Sequence, residues 1–321
     1  MNKLIRTLLL ALAAVACAPA AQAVDYPTKA VTLVVPNDPG GAIDLLARLL
    51  ANKLEGLWGK PVIVAYKPGA GTVLGTNYVA KSDPDGYTLG LVVTAHVINP
   101  SLRSNLPYDT VKDFSGVSMV ATSQIVLTAT PSFPANNLAE LIALAKKEPG
   151  KLSYASPGAG SAMHLTGEMI KSKTGIDMLH IPFKGSGPAY VEVMSGRIPL
   201  MLDPLFSSMA YIKSGKLKAL AVSGAHRDPS APNIPTMAET LPGFDVHSMF
   251  GIVVPRATPR DVVHKISADL EKVLQMPDLR ARMASIGMTP VGTTPEQFDA
   301  YIRSEIVKWA AVVKSSGAKI D

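Results

Sequence analysis

Residues Val31-Thr32-Leu33-Val34-Val35 form a nearly continuous apolar, β-branched run, the pattern of a parallel strand buried on both faces. The run breaks at Pro36-Asn37-Asp38-Pro39-Gly40-Gly41. Beyond it Ile43, Leu46, Ala47, Leu50 and Leu54 recur at helical spacing, with Arg48, Asn52 and Lys53 on the other faces. A helix therefore starts directly behind a glycine loop. The pattern continues with a strand over 62–65, a helix over 72–80, and a strand over 87–94 after the turn signal Asp83-Pro84-Asp85-Gly86. Alternation of this kind predicts a mostly parallel sheet with helices on both sides.

A long β-prone run, Val117 to Thr130, is expected to carry the chain to a second body, where the pattern restarts. A helix over 138–147 ends at Pro149-Gly150, and a strand over 152–155 follows. A second glycine loop, Ser156-Pro157-Gly158-Ala159-Gly160-Ser161, then opens a helix. Strands over 178–181, 199–202 and 217–222 alternate with helices near 188–194 and 207–214. Past the proline-rich stretch 229–242, a strand over 251–254 returns the chain to the first body. Helices over 262–274 and 295–313 complete it, with Gln275-Met276-Pro277 breaking between them. The expected fold class is α/β with two lobes, each a mostly parallel sheet flanked by helices. Residues 24–124 and 248–321 form the first lobe and 125–247 the second. Two bodies joined by two crossings describe a hinged clamp with a ligand cleft between its halves.

Composition changes this picture mainly by exclusion. A chain of 321 residues, 47% hydrophobic and 17% charged, buries a substantial core, which rules out disorder and small disulfide scaffolds. Its single cysteine, Cys17, excludes an intrachain disulfide and a Cys-rich zinc site. The formal charge is +6, yet no block of like charges occurs, which argues against nucleic acid as a partner. Lys3 and Arg6 precede an uncharged run from Leu8 to Ala16 and then Ala21-Gln22-Ala23, the layout of an export signal over residues 1–23. The run is shorter than the roughly 20 residues a membrane helix needs. Lipidation at Cys17 is the alternative, although Ala14 stands where such signals usually carry leucine. Cleavage near Ala23 takes two positive charges and the cysteine with it, lowering +6 to +4. The expected product is a soluble, monomeric periplasmic protein.

Open α/β sheets bind ligands beyond the carboxyl ends of their strands, and both glycine loops fall there. Backbone N–H groups of such a loop, with the positive end of the following helix, suit an anion. Nucleotides fit poorly: Gly158-Ala159-Gly160 is followed by Met163 where G-x-G-x-x-G needs its third glycine, and no P-loop occurs. A carboxylate, solvated by amides and hydroxyls, fits better. The six histidines show no H-x-x-x-H or H-E-x-x-H spacing, so no metal motif is present. Gly158-Ala159-Gly160-Ser161 only loosely resembles a G-x-S-x-G elbow, which leaves a hydrolase as the weaker alternative to a non-enzymatic, cofactor-free binding protein.

A series of motifs then follows in order: Tyr26-Pro27-Thr28-Lys29, Val34-Val35-Pro36 leading to Pro39-Gly40-Gly41 and Asp44, Lys67-Pro68-Gly69-Ala70-Gly71, and Pro84-Asp85-Gly86-Tyr87. It continues through Tyr154-Ala155-Ser156 to Ser161 and His164, His180-Ile181-Pro182-Phe183-Lys184-Gly185, Gly215-Lys216-Leu217-Lys218, and Pro235-Thr236 with Glu239. This series resembles the Bug-type extracytoplasmic solute receptors, the binding proteins of tripartite tricarboxylate transporters. The resemblance implies a two-lobed periplasmic binding protein of the type II kind, closing on a small mono-, di- or tricarboxylate held by loop amides and bridging waters instead of Arg or Lys. It implies membrane permease subunits as partners, with a histidine-kinase ectodomain as the alternative. By the same resemblance the first lobe's ligand loop maps to Asn37, Asp38, Gly40 and Gly41, with Thr94, Ala95 and His96 beside it. The second lobe's maps to Ser156, Gly158, Gly160 and Ser161, with His164 and Asp203. The family often carries an aromatic residue where Asn37-Asp38 stand, which implies a more polar ligand, or one bearing an amino, amide or hydroxyl group; alternatively Asp38 faces solvent or caps the loop.

Overall fold

The computed structural model describes residues 25–40 and 42–318; the expected export signal, Cys17 and Gly41 lie outside them. In chain order the first body holds β1 (Val31–Val35), α1 (Ala42–Trp58), β2 (Val62–Tyr66), α2 (Val73–Ala80), β3 (Thr88–Val93) and α3 (Ala95–Leu102). The long strand β4 (Phe114–Ala129) leads into α4 (Leu138–Lys147), β5 (Leu152–Ser156), α5 (Ala162–Thr174), β6 (Met178–Pro182), α6 (Ser186–Met194), β7 (Leu200–Pro204), α7 (Leu205–Lys213) and β8 (Lys218–Val222). Strand β9 (His247–Pro255) returns, followed by α8 (Arg260–Leu274), α9 (Pro277–Ser285), β10 (Thr289–Pro290) and α10 (Pro295–Ser316).

The strands run in the order β2-β1-β3-β9-β4-β7-β5-β6, with β8 and β10 also paired to β4. Each lobe is parallel where strand–helix units repeat, β2-β1-β3 in one and β6-β5-β7 in the other. Where β4 and β9 join in, the pairing is antiparallel, so each sheet is mixed. The reason lies in β4 itself, which serves both lobes: residues up to Gln124, opposite His247, pair with β9, and from Ile125, opposite Pro204, pair with β7.

Burial follows the periodicities. Leu46, Ala47, Leu50 and Leu54 turn one face of α1 into the first lobe's core, against Val31, Leu33 and Leu89 of the sheet and Ile266 and Leu270 of α8. A second core runs through both lobes, from Val97 and Ile98 of α3 by way of Ile125 and Leu127 of β4 to Tyr154, Leu165 and the fully buried Trp309 of α10. Helix α10 touches α3, β4 and α5, so it straps one lobe to the other.

Two helices depart from the expected pattern, and proline explains both. Asn99-Pro100 reads as a turn, but Pro100 sits inside α3. Proline cannot donate to the carbonyl four residues back, which here is His96, and Thr110 Oγ1 donates to that oxygen instead at 3.3 Å. Pro277 reads as a break, but it occupies the first turn of α9, where a missing N–H costs nothing.

Candidate functional site

The carboxyl ends of six parallel strands meet in a cleft of about 750 Å³ between the lobes. Residues 36–39 after β1, 68–72 after β2 and 94–103 after β3 supply one wall, and residues 157–163 after β5, 184–187 after β6 and 204–207 after β7 the other. A wider depression of about 900 Å³ on the outside of the first lobe, lined by Lys29, Lys67, Tyr78, Lys81 and Asp85, includes no residue of the second lobe. Two of its three lysines are engaged: Lys29 pairs with Asp85 at 3.2 Å and Lys67 lies over the Tyr78 ring. The interlobe cleft is the candidate site.

In the second lobe, Ser161 caps α5, accepting the His164 N–H at 3.2 Å and donating to the Gly158 carbonyl at 2.7 Å. Ala162 and Met163 open that helix, where N–H groups have no intrahelical acceptor, and both line the cleft. The loop is held from behind. Gly160 N–H donates to His164 Nδ1 at 3.0 Å, and Ser156 Oγ shares a hydrogen bond of 2.7 Å with His180 Nε2. The two imidazoles stack at 3.8 Å. Burial, with His164 and Lys171 adding to it, pushes His180 down to about 3, and burial, opposed by Glu168 and reinforced by Lys171, also lowers His164. Both rings are therefore neutral near pH 7, as an Nδ1 that accepts an amide proton requires. Helices α6 and α7 also begin at the cleft, and none of the three carries an acidic residue in its first turn.

The first lobe is built differently. Gly40 N–H is given to Asp44 Oδ2 at 2.9 Å, and Asp44 is also held by Arg48 at 2.7 Å and by the Tyr66 hydroxyl. Burial pushes the Asp44 carboxyl up, but the hydrogen bonds from Tyr66, the Gly40 amide and Arg48 outweigh it and hold it below the usual carboxylate range. The start of α1 thus carries its own carboxylate. The loop after β2 has unusual backbone: Gly69, Ala70, Gly71 and Thr72 all have positive φ, at 130°, 47°, 61° and 78°. Left-handed conformation at two non-glycine residues, Ala70 and Thr72, is costly, and such strain concentrates at ligand-contacting loops.

Of the residues singled out in sequence, Asn37, Asp38, Thr94, Ala95, Gly158, Gly160 and Ser161 line the cleft. Asp38 is exposed at its rim, and the Asn37 Oδ1 is buried without a donor among the described residues. Gly40 stands beside the cleft with its amide engaged by Asp44. Four expected residues stand behind the walls. His96 points into the core, its ring 5.1 Å from Phe114, with neither nitrogen hydrogen-bonded. Ser156 and His164 order the second glycine loop as described. Asp203 is fully buried and accepts from Tyr190 and, at 2.7 Å, from Ser186, which does line the cleft. Burial raises Asp203 to about 7 against the pull of those hydrogen bonds. Sequence reasoning passed over Thr72, Asn99, Arg103, Ser186 and the strand residues Ser248 to Phe250, all in the cleft lining. Arg103 follows a helix hidden by Pro100, so no periodicity pointed to it.

Residues 46–318 match the family described as tripartite tricarboxylate transporter family receptor. BugT of Bordetella pertussis is 35% identical over 100% of this chain and 99% of its own. Rpa4515 of R. palustris, solved with adipate, is 33% identical with a TM-score of 0.85 over 92% of this chain and 100% of that one. MatC (Rpa3494) from Rhodopseudomonas palustris, solved with bound malate, is 30% identical with a TM-score of 0.80 over 90% of this chain and 100% of that one.

Proposed function

The chain belongs to the family of tripartite tricarboxylate transporter receptors, and on that footing we propose that it is a periplasmic receptor that closes its lobes on a small carboxylate and delivers it to membrane permease subunits. One observation carries the ligand class: three helices of the second lobe begin at the cleft without an acidic residue in their first turns, and the Ser161-capped one presents the amides of Ala162 and Met163. The adipate of Rpa4515 and the malate of MatC support the same class here.

The proposed hinge lies where β4 passes from β9 to β7, dividing residues 25–124 and 248–318 from 125–247. Ligand contacts are assigned to Asn37, Asp38, Thr94, Ala95, Gly158, Gly160 and Ser161, with Gly40, Ser156, His164 and Asp203 shaping the loops around them. Chemistry on the ligand is not part of this reading. The Ser156–His180 hydrogen bond pairs a hydroxyl with an imidazole, but Ser156 is fully buried and its hydroxyl also donates to the Gly158 carbonyl at 3.0 Å. Export fits a chain in which, among the described residues, no helix is long and apolar enough to cross a membrane.

A thermal-shift screen of mono-, di- and tricarboxylates, amino acids, sugars and inorganic cations tests the proposal. A ligand present at 100 times its dissociation constant is expected to add about 2.7 kcal/mol of stability. Stabilisation by sugars or cations alone, or conversion of a screened acid by the purified protein, defeats it.

A further inference from the structure

Arg103 is the arginine of the cleft lining, and its guanidinium forms no ion pair or hydrogen bond with any described residue. Its backbone N–H is fixed, donating to Asn99 O at 3.1 Å as α3 ends. Its Nε is buried without an acceptor. A guanidinium has five donors and cannot shed its proton, and with its Nε buried and unmatched the half-buried Arg103 is a receptor for an anion in the cleft. The neighbouring backbone makes room for it: a Cβ on Gly71 would lie 3.1 Å from Nη2.

The cation stands in the lobe whose glycine loop is already engaged, where the start of α3 also opens at the cleft without an acidic residue in its first turn. On that side the glycine loop donates its Gly40 amide to Asp44, and Asp38 adds a second carboxylate at the rim. On the opposite side the start of α5 is open to an anion. Two anion-receiving positions of different kinds therefore face each other across one cleft. We propose that the ligand is a two-headed acid, with one carboxylate at the start of α5 and the other on the Arg103 guanidinium. Arg103 is then the residue that selects dicarboxylates over monocarboxylates and ties the ligand to the first lobe. The inference rests on the carboxylate reading above and narrows it.

Isothermal titration of the purified protein with succinate, glutarate and adipate, each against the monoacid of equal length (butyrate, valerate, hexanoate), tests it. At least one diacid is expected to bind ten times or more tighter than its monoacid. Arg103→Gln should weaken that diacid about 10- to 100-fold, the loss typical of a charge-assisted hydrogen-bonded pair, and leave the monoacid within about twofold. Arg103→Lys, which keeps charge but not the planar fork, should fall between. Unchanged melting temperatures and far-ultraviolet spectra certify the folds. Equal affinity of native protein for the two series, full diacid affinity in Arg103→Gln, or equal loss of both acids in it removes Arg103 from this role while leaving the carboxylate reading standing. Absence of binding by every acid of both series overturns this proposal, and the thermal-shift screen decides the carboxylate reading separately.

Discussion

His96 and Ala95 are adjacent, yet Ala95 lines the cleft and His96 is packed between Tyr108 and Phe114. Consecutive residues of a helix point about 100° apart, and only knowledge of α3 tells which of the two faces the ligand. The strand end before them was legible in the sequence; the helix was not, because Pro100 disguised it. Inside the core the imidazole has no partner, and burial lowers it from an ordinary 6.5 to about 4. Between those two values the unfolded chain binds the proton and the folded one does not. This residue's contribution is therefore complete above about pH 6.5 and is lost as pH falls toward about 4. His96→Phe removes both unpaired nitrogens and keeps an aromatic ring. Urea denaturation is expected to find the variant more stable than the native protein at pH 5, by on the order of 1–3 kcal/mol, with a smaller gain at pH 7.5. An equal gain at both values would mean that the proton is not responsible.

Among elements, those with a strong period were readable: β1, α1 and α8 show on the page as runs and stripes, and their apolar positions are the buried ones. The two-residue β10 offers no period at all, and α9 hides behind a proline at the position where helices tolerate it. The crossing strand was visible only as an unusually long β-prone run. What holds it was not, since its partners lie far away in sequence. Gln124, at the junction of the two pairings, accepts the Gly224 N–H at 2.8 Å and donates to the His226 carbonyl at 2.9 Å. The next residue donates its amide to Ser223 Oγ at 2.8 Å. Gln124→Ala leaves the buried Gly224 amide unmatched, and such a group costs about 1–3 kcal/mol, whereas His226 is exposed and water can take up its carbonyl. A loss in that range is the expected result of chemical denaturation; a loss below about 0.5 kcal/mol would show that solvent replaces both bonds without penalty.

For the whole molecule, the glycine loops suggested a symmetric grip, one amide cradle per lobe. The structure has the cradle in the second lobe and, facing it, a first lobe whose loop is occupied by Asp44 and whose cation is Arg103. Such asymmetry arises from side chains that meet only in the fold, beyond the reach of spacing. A clamp whose ligand binds the closed form better shifts toward that form on binding. Small-angle scattering is expected to give a smaller radius of gyration with a saturating acid than without one; identical curves would mean that the lobes are already closed, or that they do not move.

In the sheet, β9 lies between β3 and β4, although nearly the whole second lobe separates it from them in sequence. Strands β5 to β8 come from one uninterrupted stretch of chain and can pair among themselves and with β4 before α10 arrives to close the shared core. The first lobe's sheet cannot: for a chain emerging N-terminus first, β3 waits with one edge unpaired until β9 has been made, and α1 waits for α8 to cover it. Contacts between segments so distant in sequence form slowly and leave apolar surface and strand edges open to other chains meanwhile. The connection that makes the molecule a clamp also makes the sheet of its first-synthesised lobe the last to be finished.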